Sequence, residues 1–163
     1  MERVESKKEI LDTKHWLWRY RDAKKAVRRI EAEYRELVSI QESAGAVSYD
    51  GMPKATGNPS DLSGIVIARD NVLSKLIRAT RKASNIYSEL IGAVEKLDTD
   101  IEKDIIFERY VHLKDNCDER DWDDIAASLN YSEQHIYRVH GIALSKVTAY
   151  RKHRRRNMRV NES

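Results

Sequence analysis

From about Glu5 to Glu42 the chain carries neither glycine nor proline. Within that run Trp16, Tyr20, Ala23, Val27, Ile30, Tyr34 and Leu37 follow one another at alternating steps of four and three. A helix with this spacing has a narrow apolar stripe that must be buried against another helix. A matching seam follows: Val72, Leu76, Ala79, Ala83, Ile86, Leu90, Ala93 and Leu97. Between them lies SAGAVSYDGMPKATGNPSD, residues 43–61, with turn signals at Asp50-Gly51, Pro53, Gly57 and Asn58-Pro59. Two matched seams and one connector predict an antiparallel, coiled-coil-like helical hairpin over residues 1–98, with Ser60 or Asp61 capping its second helix. The seams can equally pair between chains, so a homodimer through the long helices stays open. Arg19, Arg21, Lys24, Lys25, Arg28 and Arg29 flank the first seam, offset by Glu31, Glu33 and Glu36. They form either a solvated face with i,i+4 pairs or a phosphate-binding stripe.

The composition fits an all-α chain. Of the 163 residues 35% are charged, and there are 6 Gly and 2 Pro, which favours helix and surface over a thick core. No run approaches the ~18 apolar residues of a membrane span, and MERVESKKEILD has no apolar signal core. Cys117 stands alone, which excludes an internal disulfide. It fits a reducing cytoplasm and reads as an incidental loop thiol. The connector lacks the GKS or GKT of a phosphate loop. The histidines His15, His112, His135, His140 and His153 form no HExxH pair, and none completes a zinc set with Cys117. No nucleophile, base and orienter fall together. Neither an enzyme, a metal site nor a cofactor is expected.

Residues 99–150 read as a second, three-helix module. Thr99-Asp100-Ile101-Glu102 is a capping box, and Ile101, Ile105, Ile106, Tyr110 and Val111 form the apolar set of the helix it opens. A polar loop from about Leu113 to Arg120 leads to Asp121, a cap for the next helix. WDDIAASL then places Trp122, Ile125, Ala126 and Leu129 on one face. Asn130-Tyr131 breaks the pattern, and Ser132 can cap a further helix over 132–147 whose inner face is Ile136, Val139, Ala143, Leu144 and Val147. This is the layout of a helix-turn-helix, whose second helix enters the major groove of double-stranded DNA. Glu133, Gln134, His135, Tyr137 and Arg138 are left pointing outward, where a recognition helix reaches base edges. Gln can bond adenine bidentately and Arg guanine.

Charge in this region is polarised. Acidic residues dominate from Glu95 to Glu133, and beyond Glu133 there is no acid until Glu162. The bases there are Arg138, Lys146, Arg151, Lys152, Arg154, Arg155, Arg156 and Arg159. The run over 151–163 reads as a basic tail suited to phosphate contact, while the acidic half should face solvent or a protein partner.

Three phrases carry a resemblance across most of the chain: YRDAKKAVRRIEAEYREL in the first helix, YDGMPKATGNPSDLS in the connector, and WDDIAASLNYSEQHIYRVHGIAL at the end. The chain resembles the ArpU/RinA-type phage late-transcription regulators, and its C-terminal module is similar to region 4 of bacterial sigma factors. The resemblance implies a phage or prophage activator of late genes that contacts promoter DNA and bacterial RNA polymerase. On it, Gln134, His135, Tyr137 and Arg138 fall where sigma residues meet bases, Ser132 at the cap, and Ile136, Val139 and Leu144 in the core. Glu133 departs, standing where many sigma factors carry Arg. The alternative is an oligomeric DNA-recognition protein of phage packaging, similar to a terminase small subunit, although there the DNA module more often comes first.

Overall fold

The computed structural model describes residues 6–45 and 59–161, so most of the connector expected at 43–61 lies outside the described residues. The fold is all-α, and no strand occurs among the described residues. Helix α1 spans Lys7–Gly45, α2 Pro59–Val94, α3 Asp100–Tyr110, α4 Trp122–Leu129 and α5 Glu133–Asn161. Among the described residues no helix is long and apolar enough to cross a membrane.

Helix α1 packs antiparallel on α2. Contacts from Arg19, Tyr20 and Gln41 in α1 reach Glu89, Tyr87 and Arg69 in α2, in descending order. The α2 seam lies as its spacing predicts, with Val72, Ala83, Ile86, Leu90, Ala93 and Leu97 buried. In α1, Val27 is buried as expected, but Thr13 and Leu17 fill the interior while Trp16 is only half-buried. Thr13 can occupy an apolar seam because its hydroxyl is satisfied. It donates to the Glu9 carbonyl at 3.0 Å and accepts from Arg151 Nη1 at 2.9 Å. Helix α2 opens at Pro59, whose fixed φ and missing N–H suit a first helical position. Ser60 and Asp61 fall within this helix, and the side-chain cap expected of them lies outside the described residues.

The contacts divide the chain into two units, and the division falls within both long helices instead of at residue 98. One unit is Ala23–Ala83, a stretch of α1 paired with a stretch of α2. The other joins the described parts of Met1–Asp22 and Ser84–Ser163. Here the start of α1 and the end of α2 share a core with α3, α4 and α5. The Trp18 ring lies 4.5 Å from that of Tyr110, and Thr148 Oγ1 lies 2.8 Å from Thr13 Oγ1. Ile105, Ile125, Ala126, Ile136 and Val139 form the tri-helical cluster, with Ile101, Trp122 and Leu129 packed against it. The three isoleucines are fully buried, each contributing roughly 1.5–3 kcal/mol.

The capping box at Thr99 forms as its sequence predicts. The Glu102 backbone N–H donates to Thr99 Oγ1 at 3.4 Å, and Glu102 Oε2 accepts from the Thr99 backbone at 3.4 Å. Its other oxygen accepts from Lys146 Nζ at 2.6 Å, which ties α3 to α5. Asp121 occupies the N-cap position of α4, but its side chain makes no cap bond. Lys114 Nζ, 2.5 Å away, holds the carboxylate instead. Cys117 lies in the loop between α3 and α4 as expected, buried in a tight turn with φ 63°. Helix α5 continues unbroken to Asn161, so the basic run past residue 150 forms its last turns and not a separate tail.

Candidate nucleic-acid interface

Helix α4 stops because Asn130 adopts the left-handed conformation, φ 58°, which Asn tolerates better than most side chains. The Tyr131 N–H then returns to the Ala126 carbonyl at 3.0 Å and closes the turn. Ser132 caps α5, its Oγ accepting from the His135 N–H at 3.3 Å. Glu133 in the first turn complements the positive end of the helix dipole.

The inner face of α5 is fixed by Ile136, Val139, Ala143, Leu144 and Val147, all buried. The opposite flank is therefore open. Glu133, Gln134, Tyr137 and Arg138 are exposed, and His135 is half-buried. An Arg138 Nη2 proton is donated to His135 Nδ1 at 3.1 Å, because a guanidinium can only donate. The imidazole stacks on Tyr131 with centroids 4.9 Å apart and planes 16° from parallel. Arg138 is thereby held before any partner arrives, which lowers the entropy lost on contact. Tyr131 is unexpected in this role, and its place beside the Ser132 cap is the signal that points to it. Tyr137 packs against Trp122 at 4.9 Å, and the Arg109 guanidinium lies 4.5 Å from the same indole. Further along the same flank, Gly141, Ile142 and Ser145 are exposed. Their i+3, i+4 and i+7 spacing from Arg138 is the signal that would have extended the surface.

Below this flank His140 is buried. Its Nε2 lies 3.0 Å from the Tyr110 hydroxyl, and its ring meets Trp122 edge-on at 4.7 Å. Burial, with Lys14 and Arg109 nearby, pushes its pKa down to about 3, so it packs as a neutral ring and does not face phosphate. Burial also pushes the Tyr110 hydroxyl well above the usual phenol range.

The cations expected on DNA separate into two groups. Lys146 lies 2.6 Å from both Glu102 Oε1 and Asp98 Oδ2. Lys152 lies 2.6 Å from Glu9 Oε1. Arg151 donates to Thr13 and lies 4.7 Å from the Trp16 ring. Its pKa is lowered to about 10 by burial and by Arg155 and Arg19. These three are engaged within the protein. Arg154, Arg155 and Arg156 are exposed.

Much of the acidic half is also matched internally. Glu108 pairs with Arg120, Glu119 with Arg21 at 3.0 Å, and Asp98 with Lys146. The exposed Asp121, Asp123 and Asp124 carboxylates crowd within 4.8 Å at the start of α4, a place phosphate would avoid. Compared with known proteins, the chain matches no family model, no curated protein and no solved structure.

Proposed function

We propose that the chain is a sequence-specific, double-stranded-DNA-binding transcriptional activator of phage or prophage late genes. In this reading the first turns of α5 enter the major groove. Gln134 and Arg138 read base edges, while Glu133, His135 and Tyr137 shape the contact. The observation that carries the reading is the open flank: α5 buries its inner face completely, yet leaves Gln134, Tyr137 and Arg138 exposed with Arg138 held by His135. A helical hairpin with a merely solvated face has no need to order its guanidinium. Contact with bacterial RNA polymerase comes from the family resemblance, and the surfaces free of phosphate-binding cations are where it would fall.

Binding selection against fragments of a phage or prophage genome, followed by footprinting, tests the reading. The expected result is one protected site upstream of late genes, lost with Gln134→Ala. Uniform low-affinity binding with no protected site refutes it.

The packaging alternative draws on one observation. Ile40, Ile67, Leu73 and Ile77 are exposed apolar residues within the Ala23–Ala83 unit, a pattern that favours association. The mass in solution separates the readings: a ring of many subunits favours packaging, a monomer or dimer favours regulation.

A further inference from the structure

The end of α5 carries a second feature, apart from the flank that bears Gln134. Arg154 lies close to whole numbers of helical turns beyond Val147, Ala143 and Ile136. It therefore continues the core-facing side of the helix, where an apolar residue would be expected. With Arg151 and Arg155 it lines a cleft of about 170 Å³ closed by Trp16, Glu89 and Tyr150. Glu89 is the cleft's one carboxylate, and Arg19 Nη2 matches it at 2.6 Å. Arg151 is committed to the neutral Thr13 hydroxyl and the Trp16 ring. Among the described residues, neither Arg154 nor Arg155 has a carboxylate within ion-pair distance. Like charges are thus gathered around the half-buried Arg151, where Arg155 and Arg19 act against its charge and Asp12 offsets them in part. Such a cluster costs stability unless an anion relieves it.

We propose that this cleft binds a phosphate group carried by a small molecule, such as a pyrophosphate or phosphate ester. Guanidinium forks match phosphate oxygens bidentately. Trp16 serves as the wall that fixes Arg151. Since Arg19 and Arg151 already engage its ring, at 5.2 and 4.7 Å, recognition falls on the phosphate and not on a stacked base. The cleft shares no residue with the base-reading flank from Glu133 to Arg138, although Arg151, Arg154 and Arg155 are among the cations expected on DNA phosphate.

Calorimetric titration of the full chain with inorganic pyrophosphate at low ionic strength is the test. Saturable one-to-one binding is expected. Joint Arg154→Ala and Arg155→Ala substitution should weaken it about tenfold or more, as loss of two charge-assisted forks implies. Arg138→Ala should leave it unchanged. Both arginines are exposed, and matching thermal melts would show that the double variant folds. A parallel titration with a short duplex identifies the source of the phosphate. If pyrophosphate fails to saturate while the double variant loses duplex affinity and salt dependence, the cleft takes backbone phosphates and the small-molecule assignment is overturned. An equal loss in Arg138→Ala, or no loss in the double variant, also overturns it.

Discussion

His140 makes the stability of the α3–α5 unit depend on acid in a calculable way. Its pKa falls from 6.5 to about 3 on folding, because burial, Lys14 and Arg109 all oppose a charge there. The folded form therefore binds fewer protons than the unfolded form. The resulting stability is fully present above pH 6.5 and is lost as pH falls toward 3. At pH 5 the unfolded chain gains about 1.5 pH units of protonation, worth roughly 2 kcal/mol at about 1.4 kcal/mol per unit. For a chain of this size that lowers the midpoint of thermal unfolding by roughly 4–8 °C relative to pH 7.5. Glu119 and Asp121 have pKa values lowered below the ordinary carboxylate range. Their contribution is lost only at lower pH, which leaves the window from 5 to 7 clear of them. Thermal melts at pH 5, 6 and 7.5 should show the slope in the parent and a flattened one in His140→Gln, whose amide can still meet Tyr110. Parallel profiles for the two proteins would mean that His140 is not held neutral, and the packing account of the site would fail.

Arg138→Ala should cost about 1–3 kcal/mol at one operator position and relax the base preference there, measured by anisotropy on single-base duplex variants. Equal weakening on every sequence would assign the residue to phosphate instead. Gly141 sits inside α5 with open space where a Cβ would lie, so Gly141→Ala should stabilise the fold by about 0.5–1 kcal/mol in urea unfolding. Reduced operator affinity in the same variant would show that DNA approaches the helix backbone there. Thr13→Val should destabilise by about 1–3 kcal/mol, because it leaves the Arg151 donor without its partner in a half-buried place. A neutral result in chemical denaturation would show that Thr148 and water replace the hydroxyl.

The elements that the sequence disclosed are those decided by neighbours on the same helix. The α2 seam, the apolar sets of α3 and α4, the inner face of α5 and the caps at Thr99 and Ser132 all follow from spacing within a few residues. The misses have partners outside their own helix. Thr13 enters the core because Thr148 and Arg151 satisfy its hydroxyl, and an apolar pattern does not count threonine. Asp121 is a sound cap by residue type, but Lys114 competes for its carboxylate. The basic stretch after residue 150 has the charge of a tail but continues the helical phase of α5 to Asn161. In the extended α5, helical phase sets Arg154 beside the cleft of Trp16 and Glu89, although its side chain stays exposed. The contact division falls at residues 22 and 83, away from residue 98, for a related reason. The start of α1 joins α3–α5 through Trp18–Tyr110 and Thr13–Thr148, contacts that no local signal marks.

The unbroken run of α5 from Glu133 to Asn161 has a mechanical consequence. With no proline inside it and hydrogen-bonded turns throughout, the helix behaves as an axle. A twist imposed at the arginine end is delivered to the Gln134 end through the backbone itself, without any intervening loop to absorb it. Tightening or loosening the grip of Thr13 and Trp16 on that axle would therefore re-aim the side chains at its far end.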